Sequence, residues 1–311
     1  MTKRHLASAN IYGRASSVET LRCIGFLPSS LLIDVEIVGS RHPRYYSVST
    51  EINFIVRCKP SKNEEVRPVS SNYQYCAEFV SRLIGHKATE TKVLDFGCGR
   101  GQLIKLLRDD GIAAFGCDPF MGGTAFPFPD ELSGIVVPMN GTEVQFPTST
   151  FDVVVNNQVM EHIENMDAAL SEIHRILKPG GVVLSLFPDR GVWREGHCSI
   201  PFLHWFPKHS TFPRVYYAVA CRFAGLGQST EGKSRLQWAK DVCAYLDHWT
   251  VYRTYKEIFD AYRKYFVQIE HIEDQWLDFR LGSIVRPFPK SLKRLFTRKM
   301  AGMVFTCVKA P

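Results

Sequence analysis

A run of closely spaced glycines is the part of the sequence best suited to hold a ligand. Gly97, Gly99 and Gly101 follow an apolar segment, Val93 to Phe96, that is typical of a buried strand. Glycines at the end of a strand let the backbone turn sharply and let a ligand approach it closely. The order is GxGxG and not the dinucleotide-binding motif GxGxxG, because Gln102 stands where that motif has its last glycine.

Two acids beside this turn narrow the choice of ligand. Asp95 lies two residues before the first glycine, where a carboxylate would repel the pyrophosphate of a dinucleotide. S-adenosylmethionine instead presents an ammonium and a sulfonium group, and a carboxylate would attract both. Asp118 ends the next apolar segment, about twenty residues further on, where an acid can bridge ribose hydroxyls. Either acid alone could be a cap or turn residue, but the set in this order predicts a site for a cationic nucleoside.

An alternation of strands and helices must position this turn. The predicted strands cover residues 93–96, 113–117, 134–137, 151–155, 182–187, 267–272 and 303–308. The predicted helices begin at an N-cap, Ser71, and include residues 102–108, a short helix near Val159, residues 168–177 and a basic helix at 291–300. This alternation predicts an α/β fold, a Rossmann-like seven-stranded and mostly parallel sheet with helices on both faces.

The same pattern divides the chain into four parts. Residues 1–70 are an N-terminal extension whose role stays open, with strand-like segments at 31–38 and 52–58 and a linker at 59–68. Residues 71–188 are the expected cofactor-binding core. Residues 189–266, rich in Trp, Tyr, Phe and His, are the expected mainly helical lid over the site of the second substrate, the acceptor. Residues 267–311 complete the sheet.

The motifs of residues 92–188 resemble those of the class I S-adenosylmethionine-dependent methyltransferases, of the branch called type 11. Besides the glycine loop, the resemblance rests on Phe146-Pro147, Ser149 to Val154, Met160-Glu161-His162-Ile163 and Glu172 to Gly181. It implies an enzyme that transfers the methyl group of S-adenosylmethionine to an acceptor by in-line displacement.

The resemblance also implies which residues bind the cofactor. The three glycines would line its methionine part, Asp95 would orient the methionine amino group and Asp118 would hold the ribose. Asn140-Gly141 stands where the family usually has an acid and a small residue against the adenine, and Asn157 would face the reacting methyl. The expected cofactor-binding residues are Asp95, Gly97, Cys98, Gly99, Gly101, Asp118, Pro119, Asn140, Gly141 and Asn157.

A metal is not expected at the Glu161-His162 pair. Some methyltransferases of small RNAs and of quinones carry Glu-x-x-Glu-His here and bind a divalent ion through one helical face. In this chain the first acid is replaced by Gln158, and an amide oxygen is a weaker ligand than a carboxylate. We therefore expect His162 to order the loop after the fourth strand.

Two histidines after the fifth strand are the candidate general bases. An oxygen acceptor needs a base to remove its proton, and the acceptor is expected over the carboxyl ends of the strands. His197 and His204 lie in the segment 193–207 with Glu195 and several aromatic residues. The alternative is that both histidines pack into the floor of the lid. The aromatic stripe from Tyr245 to Tyr255 is likewise more typical of lid core than of a stacking surface.

Composition restricts partners and location only weakly. A net charge of +7 and 22% charged residues favour anionic ligands slightly, and the absence of an arginine-rich tract disfavours nucleic acid. Nine cysteines without a CxxC motif predict a reduced, cytoplasmic protein. No apolar run approaches the roughly 20 residues of a membrane span. The basic helix at 291–300 could contact a membrane surface, but we favour the interpretation that its charged face is exposed to solvent.

The expected acceptor is a small molecule or a glycan or lipid precursor, methylated at oxygen. An RNA methyltransferase and a non-catalytic cofactor-binding protein on the same fold are the alternatives. The sequence gives no indication of the oligomeric state.

Overall fold

The computed structural model describes residues 71–87, 90–119, 132–228 and 232–311. These residues belong to one compact unit that spans residues 68–311. The expectations for residues 1–70, including the strands at 31–38 and 52–58 and the linker at 59–68, lie outside the described residues.

Seven strands form one sheet. They are β1 (Lys92–Phe96), β2 (Ala113–Asp118), β3 (Val136–Pro138), β4 (Phe151–Asn157), β5 (Leu177–Phe187), β6 (Val267–His271) and β7 (Met303–Val308). Their order is β3-β2-β1-β4-β5-β7-β6. The first five strands are parallel, and β7 runs antiparallel to both β5 and β6. The predicted seven-stranded, mostly parallel sheet is therefore confirmed.

Eight α-helices accompany the sheet in the described part of the chain. They are α1 (Ser71–Ile84), α2 (Gln102–Asp109), α3 (Met166–Ile176), α4 (Thr211–Phe223), α5 (Arg235–Trp249), α6 (Tyr255–Tyr262), α7 (Glu273–Leu281) and α8 (Lys290–Met300). The sequence pattern did not predict α7, because two of its inward residues, Glu273 and Asp274, are charged and hide the helical periodicity. The short helix predicted near Val159 is wrong, since the chain makes a turn there.

The sheet is buried on both faces, as a parallel sheet requires. Leu94 and Phe96 of β1 belong to the core that also contains residues of α3 and α6. Val93, whose side chain points the other way along the strand, belongs to the core built with α1 and α2. The apolar segments of the sequence thus fix two layers of helices, one on each side of the sheet.

A third, smaller core holds α4 and α5 together. Ala218 of α4 and Trp238 and Leu246 of α5 are buried there with Ile200 and Leu203 of the preceding loop. The segment 189–266 is thus largely helical, as expected, although its last helix, α6, packs against the main core. None of the helices in the described ranges is long and apolar enough to cross a bilayer.

Candidate active site

The glycine turn connects the carboxyl end of β1 to the start of α2. It also contacts the end of β2, because the Gly97 and Cys98 N–H groups donate to the Cys117 carbonyl. The φ angles of Gly97, Gly99 and Gly101 are 81°, 50° and 73°, in the left-handed region that favours glycine. A Cβ on Gly97 would lie 2.5 Å from Cγ2 of Val159, which belongs to the turn after β4. The turn therefore needs glycine both for its backbone conformation and for the close approach of its neighbour.

Asp95 is a buried acid whose charge is not fully compensated. Its residue is only 2% exposed, and its Oδ2 has no hydrogen-bond partner among the described residues. Burial, and secondarily the charge of Asp118, raise the pKa of Asp95 to about 7. An unpartnered buried acceptor of this kind is costly by itself. It fits the ammonium group of S-adenosylmethionine, which could both donate a hydrogen bond and supply the missing positive charge.

Asp118 closes the turn from the second strand. Its Oδ2 accepts a hydrogen bond from the Gly99 backbone N–H at 2.9 Å, so the acid lies directly beside the glycine loop. Cys98 is buried in the turn. Pro119, which directly follows Asp118, is exposed. Asn140 and Gly141 lie at the surface in the turn that follows β3. The expected cofactor residues thus follow the carboxyl ends of adjacent strands.

The start of α1 also lies at this edge, which the sequence did not predict. Nδ2 of Asn72 donates to Oδ1 of Asn157 at 3.4 Å, and Asn157 is buried at the end of β4. Burial, followed by the charge of Asp95, raises the pKa of Tyr73 to about 12. Asn72 and Tyr73 could not be found from a motif, because their contacts are made across the sheet.

A hydrogen-bonded cluster lies in the loop after β5. Nδ1 of His197 is 2.6 Å from Oε1 of Glu195, and the Tyr252 hydroxyl donates to the same oxygen at 2.7 Å. The other oxygen, Oε2, accepts from the Cys198 backbone N–H at 2.7 Å. Burial alone would raise the pKa of the fully buried Glu195, but these donors and the charge of His197 outweigh it and lower the pKa to about 2. Glu195 is therefore an ionised carboxylate.

The proton positions on two facing histidines follow from their partners. His162 Nδ1 is 2.6 Å from the Trp249 carbonyl, which only accepts, so this nitrogen carries a proton. His162 Nε2 can then accept from His197 Nε2, 3.3 Å away. Because His197 Nδ1 donates to Glu195, His197 is an imidazolium in this arrangement and His162 is neutral.

The shifts of the two histidine pKa values agree with this assignment. Burial lowers the pKa of His162, and the nearby charge of His197 lowers it further. For His197 burial also acts to lower the pKa, but the hydrogen bond and charge of Glu195 outweigh it, so the pKa is raised above its ordinary 6.5. The side chain of His197 is 27% exposed, so a molecule outside the cluster can reach it.

His204 has a different environment from His197. It is 6% exposed, and its ring lies 4.5 Å from the ring of Tyr252. Neither ring nitrogen meets hydrogen-bond geometry with any residue that the structure describes. Burial lowers its pKa. His204 thus packs against Tyr252.

The turn after β4 joins the glycine loop to the histidine cluster. Val159 packs against Gly97, and His162, three residues later, contacts His197. Arg253 holds this turn by donating to the carbonyls of Ile163 and Glu164 at 2.7 and 2.6 Å. The two sets of residues are therefore neighbours at one edge of the sheet.

Residues 158–162 form a turn and not the helix on which the spacing of Gln158, Glu161 and His162 would put them on one face. Gln158 has a φ of 59° and donates its amide to the Leu186 carbonyl at 3.3 Å. Glu161 is buried with neither carboxylate oxygen hydrogen-bonded to a described residue, and burial raises its pKa to about 8. Within the described ranges, no group of three or more His, Cys, Asp or Glu residues could hold a metal ion.

A family model described as a methyltransferase domain matches residues 69–242, more than half of the chain. The match includes the glycine turn, both acids beside it, the turn after β4 and the loop that carries Glu195 and His197. It stops within α5, before Tyr252.

Curated relatives match shorter stretches. A probable S-adenosylmethionine-dependent methyltransferase of Mycolicibacterium smegmatis is 33% identical over 38% of this chain and 46% of its own length. A ubiquinone biosynthesis O-methyltransferase of Agrobacterium fabrum is 30% identical over 45% and 61%. The mitochondrial arginine-hydroxylase NDUFAF5 of Homo sapiens is 26% identical over 56% and 53%. The chain thus spans about half the length of the curated relatives it matches.

Proposed function

Because the chain belongs to the methyltransferase-domain family, in its class I S-adenosylmethionine-dependent form, we propose that it transfers a methyl group from S-adenosylmethionine to an oxygen atom. The acceptor is a small molecule or a glycan or lipid precursor. His197 is the general base in this proposal.

The pair formed by Glu195 and His197 is the observation that carries the choice of oxygen. A partly exposed imidazole held through its other nitrogen by a buried carboxylate is the arrangement of a general base. Methyl transfer to a carbon or to a free amine does not require a base to remove a hydroxyl proton. The O-methyltransferase named among the relatives agrees with this choice. Another relative is named a hydroxylase, and the mass of the product distinguishes methyl transfer from hydroxylation.

The residues around the glycine turn fit the cofactor. Asp95 would accept a hydrogen bond from the amino group, the turn from Gly97 to Gly101 would lie against the methionine part, and Asp118 would bind the ribose. When bound, S-adenosylmethionine supplies a methyl group on a sulfonium, a leaving group that needs no further activation. The chain must therefore align the acceptor, exclude water and remove one proton; alignment alone can contribute about 7–11 kcal/mol.

His197 removes that proton in the following way. His197 must first lose its Nε2 proton to solvent, which leaves it neutral with its Nδ1–H on Glu195. The lone pair on Nε2 would then accept the proton of the acceptor hydroxyl as the acceptor oxygen takes the methyl carbon. The bond from that carbon to sulfur would break, and S-adenosylhomocysteine would leave. The resulting imidazolium is stabilised by the Glu195 carboxylate, 2.6 Å from Nδ1. His162 accepts a hydrogen bond from the protonated Nε2 and so holds the ring in place between turnovers.

The other predicted site residues keep the roles that the family resemblance implies. Cys98 and Pro119 would flank the cofactor, Asn140-Gly141 would lie against the adenine and Asn157 would lie near the reacting methyl. For His204 we propose a packing role behind Tyr252 instead of proton transfer, because it is buried and has a lowered pKa.

The test is an untargeted screen of metabolite extracts with S-adenosylmethionine that carries an isotopically labelled methyl group. We expect a labelled product whose mass increases by one CH2 group and whose label is an O-methyl by NMR. His197→Ala should strongly reduce its formation, whereas His209→Ala, which alters an exposed histidine of the same region, should not. A product that gains one oxygen atom, or a label on carbon, would overturn the proposal.

A further inference from the structure

Helix α8 is oriented with polar side chains inward and apolar ones outward. Lys293 and Thr297 are 7% and 0% exposed, whereas Leu295 and Phe296 are 55% and 48% exposed. Lys293 can be buried because its Nζ donates to both carboxylate oxygens of Asp278 of α7, at 2.8 and 2.7 Å. Leaving Leu and Phe in water forgoes the free energy that their burial would give, so this orientation indicates a surface kept for a partner.

The exposed apolar surface extends into the segment before α8. Seven large apolar residues from the end of α7 to the end of α8 are exposed. They are Leu281, Ile284, Phe288, Leu292, Leu295, Phe296 and Met300. We call this set the α8 surface. Leu292, Leu295 and Phe296 lie at i, i+3 and i+4 of α8 and therefore share one face. Exposed apolar surface of this kind often marks an interaction site.

This region has an excess of positive charge, although Lys293, Arg294 and Arg298 are paired with acids of α7. From Phe279 to Pro311 the sequence has eight Lys and Arg residues and no Asp or Glu. Arg286 and Lys290 are exposed among the apolar residues of the α8 surface. Two copies of the chain would bring like charges together at this face, which opposes self-association.

We propose that the α8 surface binds an anionic lipid bilayer. An amphipathic helix that combines Leu and Phe with Lys and Arg inserts its apolar side chains at the level of the headgroups, while its cations bind anionic lipids. The apolar residues and the uncompensated cations of the α8 surface supply both parts. The chain would thus attach to a membrane surface without spanning it.

The α8 surface is joined to the loop that carries His197. Trp193 is exposed, and its backbone N–H donates to the carbonyl of Lys299 in the last turn of α8 at 2.8 Å. Phe202 donates its N–H to the Trp193 carbonyl and lies 4.6 Å from the exposed Trp205, ring to ring. Exposed tryptophans are suited to the bilayer interface. If the proposed function holds, on which this step rests, the acceptor is a lipid that enters from the membrane.

The test is co-sedimentation of the full chain with two kinds of vesicle, phosphatidylcholine alone and an equimolar mixture with phosphatidylglycerol. We expect binding to the anionic vesicles only, weakened by added salt. The double variant Leu295→Ala/Phe296→Ala should weaken it on the order of tenfold or more. Arg286→Glu/Lys290→Glu should weaken it at least as much.

The matched control is the double variant Phe212→Ala/Phe223→Ala on α4, which removes two side chains even more exposed than those of α8. It should bind the vesicles as the parent chain does, and circular dichroism should show all variants folded. Absence of vesicle binding, an equal loss in the α4 control, or binding unchanged in the α8 variants would overturn the proposal. So would light scattering in which Leu295→Ala/Phe296→Ala converts a dimer to a monomer, since the surface would then be a self-interface.

These measurements need neither cofactor nor acceptor. A chain that binds vesicles but transfers no methyl group would contradict the proposed function alone, and a chain that methylates without binding vesicles would contradict only the membrane surface.

Discussion

Two buried carboxylates at the same edge of the sheet have opposite properties. Asp95 has an unpartnered oxygen and a pKa raised to about 7, whereas Glu195 receives donors from His197, Tyr252 and Cys198 and has a pKa lowered to about 2. Both are buried, so burial alone does not set them apart. The difference is in the donors, because the chain supplies them to Glu195 and leaves Asp95 Oδ2 without one. In the proposed function, Asp95 would bind an external cation and Glu195 would hold the base.

The largest effect should come from removing the base that Glu195 holds. His197→Ala should lower turnover by roughly a hundredfold to ten-thousandfold, the usual contribution of general acid–base catalysis, with unchanged affinity for S-adenosylhomocysteine. The measurement is a single-turnover assay with labelled methyl donor beside calorimetry. His204→Ala is the matched control and should retain most of the activity; an equal loss in both variants would contradict the distinction between these histidines.

At Asp95 we expect a trade-off between the affinity for S-adenosylmethionine and the stability of the cofactor-free protein. Asp95→Asn should weaken binding of S-adenosylmethionine by roughly tenfold to a hundredfold, because a hydrogen bond to a charged group is lost. The same variant should stabilise the cofactor-free protein. Since the folded pKa is raised above the ordinary 3.8, the wild type loses stability as the pH rises from about 4 to about 7, and Asn removes this loss.

Calorimetry and thermal unfolding at several pH values measure both parts of this prediction. Asp152→Asn, at a half-exposed acid paired with Lys178, is the control for a change of Asp to Asn away from the turn. A cofactor-free Asp95→Asn protein that is less stable than the wild type at neutral pH would show that Asp95 has an internal partner after all.

A smaller effect concerns the pH dependence that Glu195 imposes on His197. The base must be neutral to act, so activity should rise with pH through the His197 pKa, above 6.5. Glu195→Gln removes the charge that raises this pKa, and the rising limb should move to lower pH. NMR titration of the His197 ring measures the same pKa without an acceptor. A titration curve unchanged by Glu195→Gln would exclude the coupling.

The smallest effect is expected at Glu161, a third buried acid of the same edge. Its pKa is raised to about 8 by burial, above the ordinary 4.5, so the folded protein loses stability as the pH rises from about 4.5 to about 8. Glu161→Gln should therefore have a higher Tm than the wild type at about pH 8 and nearly the same Tm at about pH 4. Equal Tm values at both ends of this range would contradict the assignment.

The comparison also explains which parts of the site the sequence could predict. The glycine turn, Asp95 and Asp118 lie within one βαβ unit, so their spacing along the chain reflects their positions in space. Glu195 and Tyr252 lie 57 residues apart, and their hydrogen bond depends on how the loop after β5 and the end of α5 pack. His197 was predicted as a base, but the network that gives it its charge state could not be.

In the fold, too, some elements could be predicted from the sequence and others could not. The parallel strands were predicted because each is a continuous apolar segment, whereas their order in the sheet was not predicted. Helix α7 was not predicted, because Glu273 and Asp274 face inward, and the orientation of α8, with Lys293 inside and Phe296 outside, depends on the acids of α7. In both helices, ion pairs formed in the folded chain override the apolar periodicity.

The central claim is that the glycine turn and Asp95 receive a cationic sulfonium nucleoside. Calorimetric titration of the full chain with S-adenosylmethionine and, separately, with NAD⁺ tests it most directly. We predict binding of S-adenosylmethionine in the micromolar range and no heat with NAD⁺. A folded protein that binds NAD⁺, or that gives no heat with S-adenosylmethionine, would contradict the account.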